Sequence, residues 1–159
     1  MDADLFTLAR ALHVAGVVLW IGGVAFVTTV LIPALKKLNN KEQRLQLFEQ
    51  LEGKFAFQAR IVTLITGLAG FYMVEFMQAW DRYQSIHFWW MHLMTIIWVI
   101  FTVVLFILEP LVLHRWFVQL AQKDSDHAFK WLHQMHKILL TLSMLAVLGA
   151  VAGSHGYAF

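Results

Sequence analysis

Apolar residues run through this chain in four long blocks, not in short alternations or narrow helical stripes. Residues 11–35 carry no formal charge, and residues 61–80 are interrupted only by Glu75. Residues 88–108 lead into Glu109 and Pro110 and continue to Leu113, and residues 138–159 close the sequence. Each block reaches the roughly 20 apolar residues that carry a helix across a bilayer. The pattern predicts an all-α fold, an integral membrane antiparallel four-helix bundle forming a single transmembrane domain over residues 1–159. Its helices are expected at about 5–36, 55–80, 87–117 and 126–156.

The polar stretches between the blocks supply the ends. Asn40 with Gln43 is a capping-box pattern and predicts a short amphipathic cytoplasmic helix over about 41–52, with Leu45, Phe48 and Leu51 on one side. Ser125, between Asp124 and Asp126, is the expected cap of the fourth helix. The connection over residues 81–87 is short enough to make helices 2 and 3 neighbours. Glu109-Pro110 predicts a kink. The first block is too long, and its lead too acidic (Asp2, Asp4), for a cleaved signal peptide. Gly16 with Gly23, Gly67 with Gly70, and Gly149 with Gly153 are small positions where helices approach closely in lipid, or gaps that a flat macrocycle could enter.

Composition sharpens the membrane reading. Sixty per cent of the residues are hydrophobic and 14% are charged, against roughly a quarter charged in soluble domains. The net charge of +2 gives no reason to expect nucleic acid as a partner. The basic residues are unevenly placed. Lys36, Lys37, Lys41, Arg44, Lys54 and Arg60 follow the first block, and Arg115, Lys123, Lys130 and Lys137 follow the third, leaving only Arg10 and Arg82 elsewhere. The positive-inside rule then puts both rich connections in the cytoplasm and both termini on the outer, periplasmic side of a bacterial inner membrane.

There is no cysteine, so disulfides, thiolate metal sites and covalent haem attachment are excluded. Eight histidines in so apolar a chain are the candidate chemistry. His13, His92 and His155 fall near the outer ends of helices 1, 3 and 4. His114, His133 and His136 gather at the inner ends, while His87 and His127 fall in connections. His92 and His114 are 22 residues apart, about 33 Å along a helix, so they cannot serve one ion. They nonetheless share a face to within about 40°, as do His133 and His155. Histidines at membrane depth are functional candidates, and imidazoles on facing helices are how bundles hold haem. The expected site is haem b at the outer side with His13 and His92 as axial ligands and His155 as the alternate. Arg10, three residues from His13, would neutralise a propionate, with Arg82 able to do the same. Trp20, Phe71, Trp89 and Trp98 would flank the ring. A second, inner haem between His114 and His133 or His136 is the lesser alternative. Glu75 is placed to pair with Arg10 or relay a proton.

Copper competes for the same end. Met91, His92 and Met94 on helix 3, with Met73 and Met77 on helix 2, mix thioether with imidazole, which suits Cu(I). A cofactor-free accessory subunit with interfacial histidines is the third reading. Electron transfer to or from quinone or another redox protein would fit bis-histidine haem, and a homo-oligomer is compatible with the chain.

Ala11-Leu12-His13 followed by Leu19-Trp20-Ile21-Gly22-Gly23 resembles the first helix of CopD-like copper-resistance membrane proteins and of HemJ-type protoporphyrinogen oxidases. Residues 60–71, with Thr66-Gly67-Leu68, are similar to the next helix of the CopD group, and Trp90-Met91-His92 looks like a Trp-x-His in the third helix of the HemJ type. The resemblance implies a four-helix membrane domain in which His13 is a ligand or essential group. The HemJ type carries a third-helix Lys as partner of that His. This sequence has no Lys between Lys54 and Lys123, and His92 is the natural substitute.

Overall fold

The computed structural model describes residues 3–156; Asp2, part of the acidic lead, lies outside them. All of the fold is helix and short turn, with no strand among the described residues. Four helices are long and apolar enough to cross a membrane: α1 (Ala3–Lys36), α2 (Lys41–Phe76), α3 (Ile86–Lys123) and α4 (Ser125–Ser154). α1 packs most extensively on α2, and α3 on α4; α1 also meets α4, and α2 meets α3.

The expected break between an amphipathic helix at 41–52 and a span at 55–80 is absent. Lys41–Phe76 is one helix of 36 residues, about 54 Å long against a hydrocarbon core of about 30 Å. Nothing in residues 52–56 breaks it. Gly53 is open on all sides, and a lone glycine costs a helix only about 1 kcal/mol. Its start is as expected, since Asn40 Oδ1 accepts from the backbone N–H groups of Glu42 and Gln43, both at 3.0 Å. The start of α4 differs. Asp124 is the cap, accepting from His127 N, while Ser125 is buried and its Oγ accepts from Arg44.

Two of the long helices leave the α register partway. α1 is a π-helix over Val27–Leu31 and α3 over Val104–Leu113. The α3 stretch spans Glu109-Pro110, the position expected to kink. It also breaks the projection that put His92 and His114 on one face, which assumed 100° per residue throughout.

Two clusters make the core. One joins Trp20, Ile21 and Val24 to Ala59, Val62, Ile97, Phe101 and Ala146. The other, towards the basic connections, joins Leu31, Ile32 and Leu35 to Phe48, Phe117, Phe129 and Leu132. Helices in lipid gain little from apolar burial as such and associate through close packing and interhelical hydrogen bonds. The glycines show that packing directly. A Cβ on Gly23 would sit 2.2 Å from Phe55, on Gly67 2.3 Å from Trp98, on Gly149 2.5 Å from Trp89 and on Gly153 2.3 Å from Trp90. Of the gaps weighed as room for a macrocycle, that at Gly16 is filled by the Thr66 side chain and the others by this chain's own rings.

Candidate functional site

His13, His92 and His155 are each held by a backbone carbonyl. His13 Nδ1 lies 2.8 Å from Thr66 O on α2. A carbonyl can only accept, so Nδ1 carries the proton and Nε2 keeps its lone pair. Gly70 makes this contact possible, because a Cβ there would stand 3.1–3.2 Å from the imidazole. The same device recurs one turn earlier, where Trp98 Nε1 donates to Thr63 O at 2.9 Å across the bare face of Gly67. In both cases a ring reaches a carbonyl because the residue four positions on, on the same helix face, is glycine.

His92 is held differently. Its Nε2 lies 3.2 Å from Ser85 O, and its ring stands edge-on to Tyr83 at 5.5 Å. That leaves Nδ1 as the atom with the lone pair. His155 repeats the His13 pattern, with Nδ1 at 2.8 Å from Val151 O, on an exposed helix end. Arg10 is exposed beside this end, and Arg82 lies over the Phe88 ring at 5.3 Å. Glu75 is taken by the Trp80 indole, which donates to it at 2.7 Å. Trp20 belongs to the core and not to the outer end: it is 4% exposed and meets Phe101 edge-on at 4.9 Å. Phe71 stacks edge-on against Trp80, and Met91 is buried.

His114, His133 and His136 are not gathered into one site. His133 Nε2 donates to Thr28 O on α1 at 3.0 Å. His136 turns back to Leu132 O on its own helix. His114 faces Glu49 on α2 at 3.7 Å. The grouping that does form here joins α2 to α3. Ligand atoms of Glu52, Glu109 and His114 all lie within 4.8 Å of one another, and Arg60 forms an ion pair with Glu109. His114 N bonds to Glu109 O, five residues back, in the π pattern. Five residues at the π-helical turn bring two side chains close to one face, whereas in an α-helix they would stand about 140° apart. No α-helical spacing rule finds this pair. The signal in the sequence was Pro110 beside Glu109.

Further along, Arg44 joins the projecting part of α2 to the start of α4. It is 5% exposed and donates to Asp126 at 2.6 Å, Ser125 at 3.2 Å and Leu38 O at 2.8 Å. Asp126 lies in the polar first turn of α4, outside the apolar block that begins at Ile138. The Arg44 guanidinium, by its hydrogen bond and then its charge, holds the Asp126 carboxyl below the usual carboxylate range. Sequence reading assigned Arg44 only to a count of basic residues.

Comparison of the chain with protein-family models, with curated proteins and with solved structures finds no match.

Proposed function

We propose that this chain is a multi-pass protein of a bacterial inner membrane that holds haem b near its outer face for electron transfer or redox chemistry, with His13 as the first axial ligand. The bundle is read as antiparallel. His13, Gly16 and Gly23 on α1 meet Thr66, Val62 and Phe55 on α2 in rising against falling order, and the basic connections then lie together on the cytoplasmic side.

The observation that carries the proposal is the His13 hydrogen bond. Metal-ligating histidines characteristically donate their other ring N–H to a carbonyl or carboxylate, which fixes the tautomer and makes the free nitrogen more basic. His13 Nδ1–H to Thr66 O is that arrangement, held between two helices. By the same criterion His155 is the better-matched second ligand, since its Nε2 is also left free. His92 fits a pairing with His13 only through Nδ1 or by releasing Ser85 O. The His13 bond supports an imidazole-held haem, while Trp20, Trp89 and Trp98 are committed to packing. When bound, haem would supply a one-electron couple, for exchange with quinone or a redox protein. The role of this chain is to orient the imidazole and to place Arg10 near the aqueous edge.

The test is an optical spectrum of detergent-purified protein, oxidised and then dithionite-reduced, with the haem-to-protein ratio. A Soret band with sharp reduced α and β bands is expected, abolished in His13→Ala and converted to a high-spin form in His155→Ala. Colourless protein that takes up no haem on reconstitution would overturn the proposal.

A further inference from the structure

An open groove lies at the other end of the molecule, between α1 and α4. It offers about 480 Å3 and is lined by Thr28, Thr29, Pro33, His133, Lys137, Leu140 and Thr141. A second groove of about 250 Å3 shares Lys137 and Thr141 and continues past Ile138 and Leu142. Lys137 immediately precedes the apolar block of α4, and Leu140 lies about one turn deeper. One trough thus runs from the polar boundary into the apolar zone, with a cation at its mouth. Lys36, the residue that ends the apolar block of α1, lies close enough for its charge to act on His133.

The polar groups of the trough are set for one kind of guest. Lys137 has no carboxylate partner among the described residues. Its ammonium brings three donors and a positive charge. The hydroxyls of Thr29 and Thr141 donate to the carbonyls of Ala25 and Lys137, at 2.7 and 2.8 Å, which leaves their oxygens as acceptors. The His133 Nε2 proton is committed to Thr28 O, so the imidazole also offers an acceptor. A guest must therefore be anionic next to Lys137, carry hydroxyl donors beside it and extend an apolar tail along Ile138 and Leu142.

We infer that this trough binds an anionic phospholipid with a hydroxyl-bearing headgroup, of the phosphatidylglycerol type. Basic pockets between membrane helices on the cytoplasmic side are recognised sites for such headgroups. The inference is independent of the haem assignment, which concerns the opposite end.

Native mass spectrometry of the full chain released from detergent, titrated with dioleoylphosphatidylglycerol or dioleoylphosphatidylcholine, tests it. Phosphatidylglycerol should be retained over phosphatidylcholine. Lys137→Gln should weaken its retention about fivefold, the weight of one lysine near an anionic surface, while Lys123→Gln, the same charge change at the end of α3, leaves it unchanged. Thr141→Phe keeps the charge, obstructs the trough and should also weaken retention. Inorganic phosphate and glycerol phosphate should not compete. Equal retention of the two lipids, equal behaviour of the two lysine variants, or displacement by inorganic phosphate would each overturn the proposal.

Discussion

The two π-helical stretches solve one problem with different chemistry. Each contains or adjoins one of the chain's two prolines. In π pairing a residue donates to the carbonyl five positions back, as Ile32 does to Val27 and His114 to Glu109. The donors due next to Thr28 O and at Leu105 O are therefore residues 33 and 110, and both are prolines without an N–H. Each orphaned carbonyl is claimed by a side chain from a neighbouring helix. His133 Nε2 reaches Thr28 O at 3.0 Å, and Arg60 Nε reaches Leu105 O at 2.9 Å. Lipid offers no water to satisfy such a group, so the substitute donor ties helix to helix.

The difference lies in what each donor brings with it. On α1 the stretch is five residues, and Val27, Thr28, Leu31 and Ile32 are buried. A neutral imidazole suffices there and adds no charge. On α3 the stretch is ten residues with only Leu105 buried. Arg60 is always charged and is neutralised by Glu109, with Glu52 and His114 close by. A proline defect in a membrane helix thus becomes a joint, and the local polarity decides whether the joint is a single hydrogen bond or an ionic network.

The largest effect should come from the charged joint. Arg60→Ala leaves Leu105 O unpaired and Glu109 without its counterion. The side chains are 32% and 20% exposed, so the full cost of breaking a buried pair is not reached. A loss of about 2–3 kcal/mol is expected, read as a lowered midpoint in detergent unfolding. Arg60→Lys should recover only part, since one ammonium cannot reproduce the guanidinium's two-sided bonding. Full recovery would mean that charge alone matters there.

The neutral joint should respond less. His133→Ala removes a single donor to a buried carbonyl and should cost about 1–2 kcal/mol. The loss should not depend on salt, whereas that of Arg60→Ala should shrink at high ionic strength.

A double-mutant cycle sharpens the argument further. Pro33→Ala restores a backbone N–H able to serve Thr28 O. His133→Ala should then cost about 1 kcal/mol less in the Pro33→Ala background than in the parent. Strict additivity would show that Pro33 is not the cause of the orphaned carbonyl.

The smallest effect belongs to the clamp between buried Arg44 and exposed Asp126, which has no proline behind it. Its folded carboxyl titrates below the ordinary range. The stabilisation is complete above the unfolded carboxylate range and is lost as pH falls through the folded value. Asp126→Asn should lower the neutral plateau slightly and leave stability in acid unchanged, so that the acid limb flattens. An unaltered acid limb would remove the clamp from consideration.

Much of this molecule is written in its blocks of apolar residues. Four helices long and apolar enough to cross a membrane and the cap at Asn40 follow from length, hydropathy and a side-chain acceptor placed before a helix, all of which are local. The position of His13 in α1, far along the chain from the basic connections, is legible in the same way. What that histidine meets is not, because Thr66 is 53 residues away and Gly70 becomes meaningful only once an imidazole lies across it. The continuity of α2 through Gly53, the filling of the glycine gaps by Phe55, Trp89, Trp90 and Trp98, and the change of register at Pro33 and Pro110 were likewise decided between helices. A hydropathy pattern specifies which segments leave water. It does not specify which carbonyl a ring will find, since in lipid that choice is made by close packing and by donors supplied from another helix.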